Sequence, residues 1–248
     1  MLAKRVLILG GTAEARDLAS RLMGLGFDVT SSLAGVTDNP ILPSGKIRRG
    51  GFGGAEGLSG YLRAEKFDWV VDATHPFATQ ISANAVAACA ETQTKLLRIE
   101  RPTWVAKFDD QWISVPSFLA AERILPKGAH VMLTLGRKEV GLFFTRMDLC
   151  GVARMIETPD LSPPKNFLLI LERPPFFVSS EKSILVENHI GYLLCKNSGG
   201  PRPAKLEAAR ELGIPVVMVE RPKKPRALMV SSVEEAVEAL LGRVESNS

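Results

Sequence analysis

The chain has 248 residues, of which 46% are hydrophobic, 23% charged and 6% aromatic. That composition supplies a large core and excludes both a disordered chain and an aromatic base-stacking platform. At roughly 150 residues per domain the length allows one or two domains. The excess of 31 basic over 27 acidic residues, a net charge of +4, suits an acidic ligand without calling for nucleic acid or a membrane.

The chain passes from Lys4-Arg5 directly into Val6-Leu7-Ile8-Leu9, a run too short for a signal peptide and read as a buried strand over Arg5–Leu9. No stretch approaches the roughly 18 apolar residues of a membrane span. A helix is expected over residues 13–25, with Leu18, Leu22 and Leu25 on one face and Gly24 and Gly26 ending it. A strand over 27–33, a strand over 69–72, an alanine-rich helix over 77–90 and a strand over 95–99 follow.

After about residue 103 the alternation restarts. Apolar runs at 131–135, 167–171 and 192–195 each end in a polar or glycine-rich turn, and a helix is expected over 203–212 with a last strand over 214–219. Ser232-Val233-Glu234-Glu235 reads as a capping box opening a helix with Val233, Val237, Leu240 and Val244 on one side. The tail 245–248 is expected to fray. The fold class is α/β, with two Rossmann-like domains, 1–103 and 104–248, carrying parallel sheets with a cleft between them.

In such sheets ligands sit beyond the carboxyl ends of the strands. Gly10-Gly11-Thr12-Ala13-Glu14-Ala15-Arg16 follows the first strand and opens a helix, which directs backbone N–H groups at an anion. It is not G-x-G-x-x-G, and the same turn also suits a βα connection without a ligand. The second strand ends Thr30-Ser31-Ser32-Leu33, with no carboxylate before Asp38, and the basic, glycine-rich stretch Lys46 to Gly54 lies beyond it. A missing ribose-binding carboxylate beside guanidinium groups favours NADP(H) over NAD(H), if either binds.

Asp72-Ala73-Thr74-His75-Pro76-Phe77-Ala78 joins a strand to a helix, and His75 there suits a proton donor, a ligand contact or a turn residue. His130 and His189 are isolated and read as structural, and no metal site is expected. Cys89, Cys150 and Cys195 are far apart and lack C-x-x-C spacing, so no disulfide framework is expected and a cytoplasmic setting is. Cations cluster at later strand ends: Arg137 and Lys138, Lys196 beside Ser198-Gly199-Gly200, then Lys205, Arg221 and Arg226, with Lys223-Lys224 read as solvated. Converging on one cleft, they call for a ligand with several carboxylates or phosphates. No catalytic triad or G-x-S-x-G appears, which leaves the chemistry to a bound cofactor.

The turn Gly10-Gly11-Thr12 with Glu14-Ala15-Arg16, the segment from Asp72 to Ala78, Arg101-Pro102 with Trp104, Gly136-Arg137, Lys196 to Gly200 and Gly213 to Pro222 together resemble the precorrin-6A reductase family. The Asp-Ala-Thr-His-Pro-Phe-Ala segment is the most specific piece, and the match spans nearly the whole chain. The resemblance implies NADPH-dependent reduction of one double bond of precorrin-6A to precorrin-6B in cobalamin biosynthesis. It also implies a polycarboxylate tetrapyrrole as substrate and transient contact with neighbouring pathway enzymes.

On that resemblance the cofactor contacts are Gly10, Gly11, Thr12, Glu14, Arg16, Ser32, Thr74, His75, Pro76, Phe77, Ala78, Gly136 and Arg137. The substrate contacts are Arg101, Lys196, Ser198, Gly199, Lys205 and Arg221, and His75 is the catalytic candidate. Two other readings stay open: a non-catalytic NADP-binding sensor, and another NADP-dependent dehydrogenase on the same fold. The latter normally wants a Tyr-x-x-x-Lys pair on a helix, and Tyr192 and Lys196 have the spacing but lie in an expected strand.

Overall fold

The computed structural model describes residues 3–35, 42–201 and 203–243. The first strands and helices run β1 (Arg5–Leu9), α1 (Ala13–Gly24), β2 (Asp28–Leu33), β3 (Lys46–Arg49), α2 (Gly54–Glu65), β4 (Trp69–Asp72), α3 (Thr79–Thr92) and β5 (Lys95–Ile99). Thr103 then begins a second compact unit. It contains β6 (Trp112–Val115), α4 (Phe118–Ile124), β7 (His130–Thr134), α5 (Gly141–Phe144), β8 (Cys150–Met155), β9 (Phe167–Leu171), α6 (Val178–Glu187), β10 (Tyr192–Lys196), α7 (Ala204–Glu211) and β11 (Val216–Val219). Beyond Pro222 the chain rejoins the first unit as β12 (Leu228–Val230) and α8 (Val233–Leu241).

Each unit is built on a six-stranded sheet, ordered β12-β5-β4-β1-β2-β3 in the first and β6-β11-β10-β7-β8-β9 in the second, and every strand pair is parallel. The Rossmann-like α/β class read from the sequence is therefore present in both units. In β1, Val6 and Ile8 face a core with Leu18 and Leu22 of α1 and Val233, Ala236 and Leu240 of α8. Leu7 and Leu9 face the other way, among Leu58 and Leu62 of α2 and Ala85 and Ala88 of α3. A strand apolar on both faces demands a helical layer on each, and α1 alone does not complete the first layer.

That requirement corrects the expected domain assignment of 104–248. The last helix packs on α1, β12 pairs with β5 through Leu228↔Leu97 to Val230↔Ile99, and Lys4 Nζ donates to the Leu240 carbonyl at the end of α8 (3.1 Å), where a cation is favoured. Lys224, expected to be solvated, instead has a side chain only 7% exposed, paired with Glu100 (3.4 Å). The capping box forms with a shift of one residue. Ser232 Oγ accepts from Glu235 N–H (3.1 Å), while the Glu235 carboxylate takes the Ser231 N–H (2.7 Å).

Other boundaries also moved. Leu25 lies at the C-cap of α1 and is 51% exposed, because Gly24 and the left-handed Gly26 end the helix before a third apolar turn can form. The expected helix from residue 77 starts at Thr79, after a turn in which Ala78 N–H donates to the His75 carbonyl (2.8 Å). Val244, the tail after it and Asp38 lie outside the described residues. Among the described residues no helix is long and apolar enough to cross a membrane.

Leu240 is 1% exposed between α1 and the sheet. Leu240→Ala is therefore expected to lower stability by about 2–5 kcal/mol, measured by urea unfolding. An unchanged transition would contradict the packing of α8 in the first unit.

Candidate functional site

In the first sheet the chain leaves β1 toward β2 and leaves β4 toward β5, on opposite sides, so the turns after β1 and β4 diverge and open a crevice at the carboxyl ends of these two strands. The turn after β1 is fixed by Gly10 N–H donating to the Ser32 carbonyl (2.9 Å). Gly11 has φ +110, and a Cβ there would enter open space. Backbone conformation, rather than crowding, demands glycine and leaves the turn bare for a ligand.

Thr12 links the two turns. Its hydroxyl accepts from Ala15 N–H (3.1 Å) as the N-cap of α1 and donates to the Ala73 carbonyl after β4 (2.7 Å). Beneath them the buried Asp72 accepts from Thr74 Oγ1 (2.6 Å) and from Arg98 Nε (2.9 Å), and Arg98 Nη1 donates to the Pro225 carbonyl of the returning segment (2.9 Å). Burial pushes the Asp72 carboxyl up, but the hydrogen bonds from Thr74 and Arg98 prevail and hold it below its ordinary range.

Thr12, Glu14, Ala73, Thr74, Pro76, Ile99 and Arg101 line a small hollow of about 10 Å³ between the two turns, the size that holds a single water. Glu14, in the first turn of α1, receives both hydrogen bonds from Arg101 Nη1 (2.8 and 3.0 Å). Burial raises the Glu14 carboxyl, and Arg101 brings it below its usual value. His75 Nδ1 accepts from Phe77 N–H (3.2 Å), which places the proton of the neutral ring on Nε2. The two rings are 5.8 Å apart.

The basic stretch beyond the second strand forms β3 and pairs with β2 as Ser32↔Arg48 and Leu33↔Arg49. Lys46 is bonded to Asp28 (2.9 Å). Arg48 donates to the Gly50 and Gly51 carbonyls (2.6 and 2.9 Å) and lies over Phe52 (3.8 Å). Arg49 is exposed at the strand's carboxyl end, next to the end of β2.

The second sheet has the same kind of divergence, between β7, which leads to β8, and β10, which leads to β11. Thr134 Oγ1 at the end of β7 donates to the Leu194 carbonyl (3.1 Å) and accepts from Lys205 Nζ (3.0 Å). Burial first, then the charges of Arg154 and Lys196, lower the Lys205 ammonium below its ordinary value against the opposing pull of Cys195 and Glu181. Lys196, at the end of β10, pairs with Glu139 (3.2 Å).

Arg221 donates to the Asn197 and Ser198 carbonyls (2.8 and 3.0 Å), and Trp104 bonds Asn197 through its main chain and Gly200 through its indole N–H (3.0 Å). These contacts shape the Lys196–Gly200 turn, where Gly199 and Gly200 have φ of +65 and +101.

The structure thus brings Gly10, Gly11, Thr12, Glu14, Thr74, Pro76 and Arg101 to one crevice, with His75, Phe77 and Ala78 on its second turn. Ser32 contributes its carbonyl beneath it, and Arg16 lies half-buried one turn along α1. Gly136, Arg137, Lys196, Ser198, Gly199, Lys205 and Arg221 belong to the second unit. Arg137 pairs with Asp160 (2.9 Å). Tyr192 and Lys196 are four residues apart in β10, about 13 Å along a strand, which removes the Tyr-Lys pair of the dehydrogenase reading. Sequence reasoning missed Arg98 and Glu139. A charge inside the apolar run 95–99 was the available sign of a buried partner for Arg98.

The family model described as "Precorrin-6x reductase CbiJ/CobK" matches residues 5–241. The chain belongs to that family of reductases. It is 44% identical over 226 residues to the precorrin-6A reductase of Rhodococcus erythropolis, covering 90% of this chain and 91% of that protein. To the cobalt-precorrin-6A reductase of Priestia megaterium it is 31% identical over 259 residues, covering 97% and 100%. The solved structure titled "CobK precorrin-6A reductase" superposes with a TM-score of 0.91 at 39% identity, over 97% of each chain.

The lowered Asp72 value gives a pH prediction for this family member. The stabilisation is complete above the unfolded carboxylate value of about 3.9 and is lost as pH falls below it toward the lower folded value. Urea unfolding across the acid range is expected to show this loss in the wild type and its absence in Asp72→Asn. That variant is itself about 3–5 kcal/mol less stable near neutrality, because it leaves Arg98 without its charge partner. Parallel acid profiles would contradict the assignment.

Proposed function

We propose that this chain is an NADPH-dependent precorrin-6A reductase, catalysing precorrin-6A + NADPH + H⁺ → precorrin-6B + NADP⁺ in cobalamin biosynthesis. The observation that carries the reading is the bare Gly10-Gly11-Thr12 turn at the β1/β4 crevice, in a chain 44% identical to a precorrin-6A reductase over nearly its full length. The metal-free substrate is preferred over its cobalt form because identity to the cobalt-precorrin-6A reductase of Priestia megaterium falls to 31%.

The turns of the crevice suit the phosphates of a dinucleotide. Gly11 leaves open space above a turn that only glycine adopts without strain, and the amides at the start of α1 lack intrahelical partners and favour a phosphate. Gly10 to Thr12 with Glu14, Arg16 and Ser32 form one wall and Thr74 to Ala78 the other. When bound, NADPH supplies a hydride from C4 of its nicotinamide. Arg49, beside the end of β2, is the guanidinium for the 2′-phosphate, since Lys46 and Arg48 are engaged within the fold.

Arg101, Lys196, Ser198, Gly199, Lys205 and Arg221 serve the acetate and propionate groups of the macrocycle. Lys196 and Lys205 meet carboxylates directly, while Arg221 holds the turn in shape. His75 carries its proton on Nε2 and donates there. The sensor reading, by contrast, requires binding without turnover.

Purified protein is expected to oxidise NADPH with precorrin-6A and to use NADH far less well. Arg49→Gln should lower kcat/KM for NADPH by about tenfold, the size of one charge-assisted contact, and leave NADH turnover near its low starting value. Equal use of both nucleotides by the wild type would contradict the 2′-phosphate assignment. His75→Ala is expected to slow single-turnover hydride transfer by about 10²-fold, and a near-normal rate would remove His75 from the catalytic role.

A further inference from the structure

We infer that Glu139 is a specificity-determining residue, an internal carboxylate that occupies Lys196 in the ligand-free protein and that an acidic side chain of the substrate must displace. The inference rests on the reading of the second unit's β7/β10 crevice as the place of the substrate carboxylates. Glu139 belongs to the short turn after β7, whose Glu139 and Val140 amides both donate to the Gly136 carbonyl (3.2 Å each). Lys196 ends β10, the neighbouring strand. The two side chains meet at 3.2 Å with only 13% of Lys196 and 27% of Glu139 exposed.

A cation so far removed from water at a strand end is destabilising unless a negative group accompanies it. Before substrate arrives, that group comes from the protein itself. The room for it comes from Gly136. A Cβ there would lie 2.5 Å from Glu139 Oε2 and 3.4 Å from Lys196 Nζ, so a side chain at position 136 would crowd the pair and make the flexible carboxylate shift. Phe118, whose ring centroid is 5.8 Å from Lys196 Nζ, covers the ammonium with an apolar face, which favours a cation but supplies no acceptor.

Of the two partners Glu139 is the one that can leave. It is the more exposed, it stands on a one-turn segment rather than inside the sheet, and its carboxylate regains full hydration by rotating outward. Lys196 is held by its strand beside Lys205, whose ammonium is fixed on Thr134 (3.0 Å). Substrate binding is then an exchange of one carboxylate for another. A tetrapyrrole with an acid at this point replaces the lost pair, whereas one carrying an ester, an amide or a hydrogen there breaks the pair without replacement. Discrimination arises from that uncompensated cation rather than from any new attraction.

The test is titration of precorrin-6A into wild type, Glu139→Gln, Lys196→Gln and the double variant, with kcat and KM measured alongside. Glu139→Gln is expected to tighten Kd and lower KM by about fivefold, the size of a modest ion pair, with the effect on KM rather than on kcat. Glu139→Asp, which keeps the charge one methylene short of Lys196, is expected to move Kd in the same direction. Lys196→Gln should weaken binding, and in its background Glu139→Gln should change nothing. An unchanged or weaker Kd in both Glu139 variants, or an equal gain in the Lys196→Gln background, would overturn the inference. Wild-type protein that neither binds nor reduces precorrin-6A would overturn the functional reading itself, and this inference with it.

Discussion

The first unit is organised around one buried ion pair, Asp72 with Arg98, both almost wholly withdrawn from water. Two charges in such surroundings need partners for the oxygens and nitrogens brought inside, and here all but Arg98 Nη2 have them. Asp72 therefore draws in Thr74 on one side, and Arg98 draws in the Pro225 carbonyl on the other. The same pair sets the start of the turn that carries His75 and ties β5 to the segment that brings β12 and α8 home. Geometry at the crevice and closure of the unit share one electrostatic origin.

A second theme is that most of the cations in the two crevices already have company. Arg101 is held by Glu14, Lys196 by Glu139 and Arg137 by Asp160. A polyanion approaching these groups meets internal pairs rather than bare charge, so affinity depends on what the ligand returns to each cation and not on charge number alone. Arg221 and Trp104 act differently. They spend their donors on the carbonyls of the Lys196–Gly200 turn and thereby fix where its amides and side chains are presented.

The parts of this arrangement that could be read from the chain were those written locally. Val6 to Leu9 is apolar on both faces and can only be an inner parallel strand. Thr12 stands where a helix cap must, and the segment from Asp72 to Ala78 sits between a strand and a helix, so both walls of the first crevice were recognisable as turns at strand ends. What escaped was written non-locally. β3 is short, polar and at a sheet edge, so Lys46 to Arg49 did not show as a strand, and α2 begins with glycines that conceal it.

The return of the chain after Pro222 escaped for a related reason. The apolar face of α8 shows in the sequence, but that its partners are Leu18 and Leu22, more than two hundred residues earlier, does not. Leu25 continued the helical period on paper and was cut off by two glycines in fact.

On the proposed function, a hydride passes from a reduced nicotinamide to the tetrapyrrole. The most direct measurement is a single turnover with NADPH deuterated at the transferable C4 position, followed by magnetic resonance and mass analysis of the macrocycle. The account predicts one deuterium on a ring carbon of the product and none remaining at the transferred position of the oxidised nucleotide. A reduced macrocycle without label, or labelled nucleotide recovered unchanged beside unaltered substrate, would contradict it.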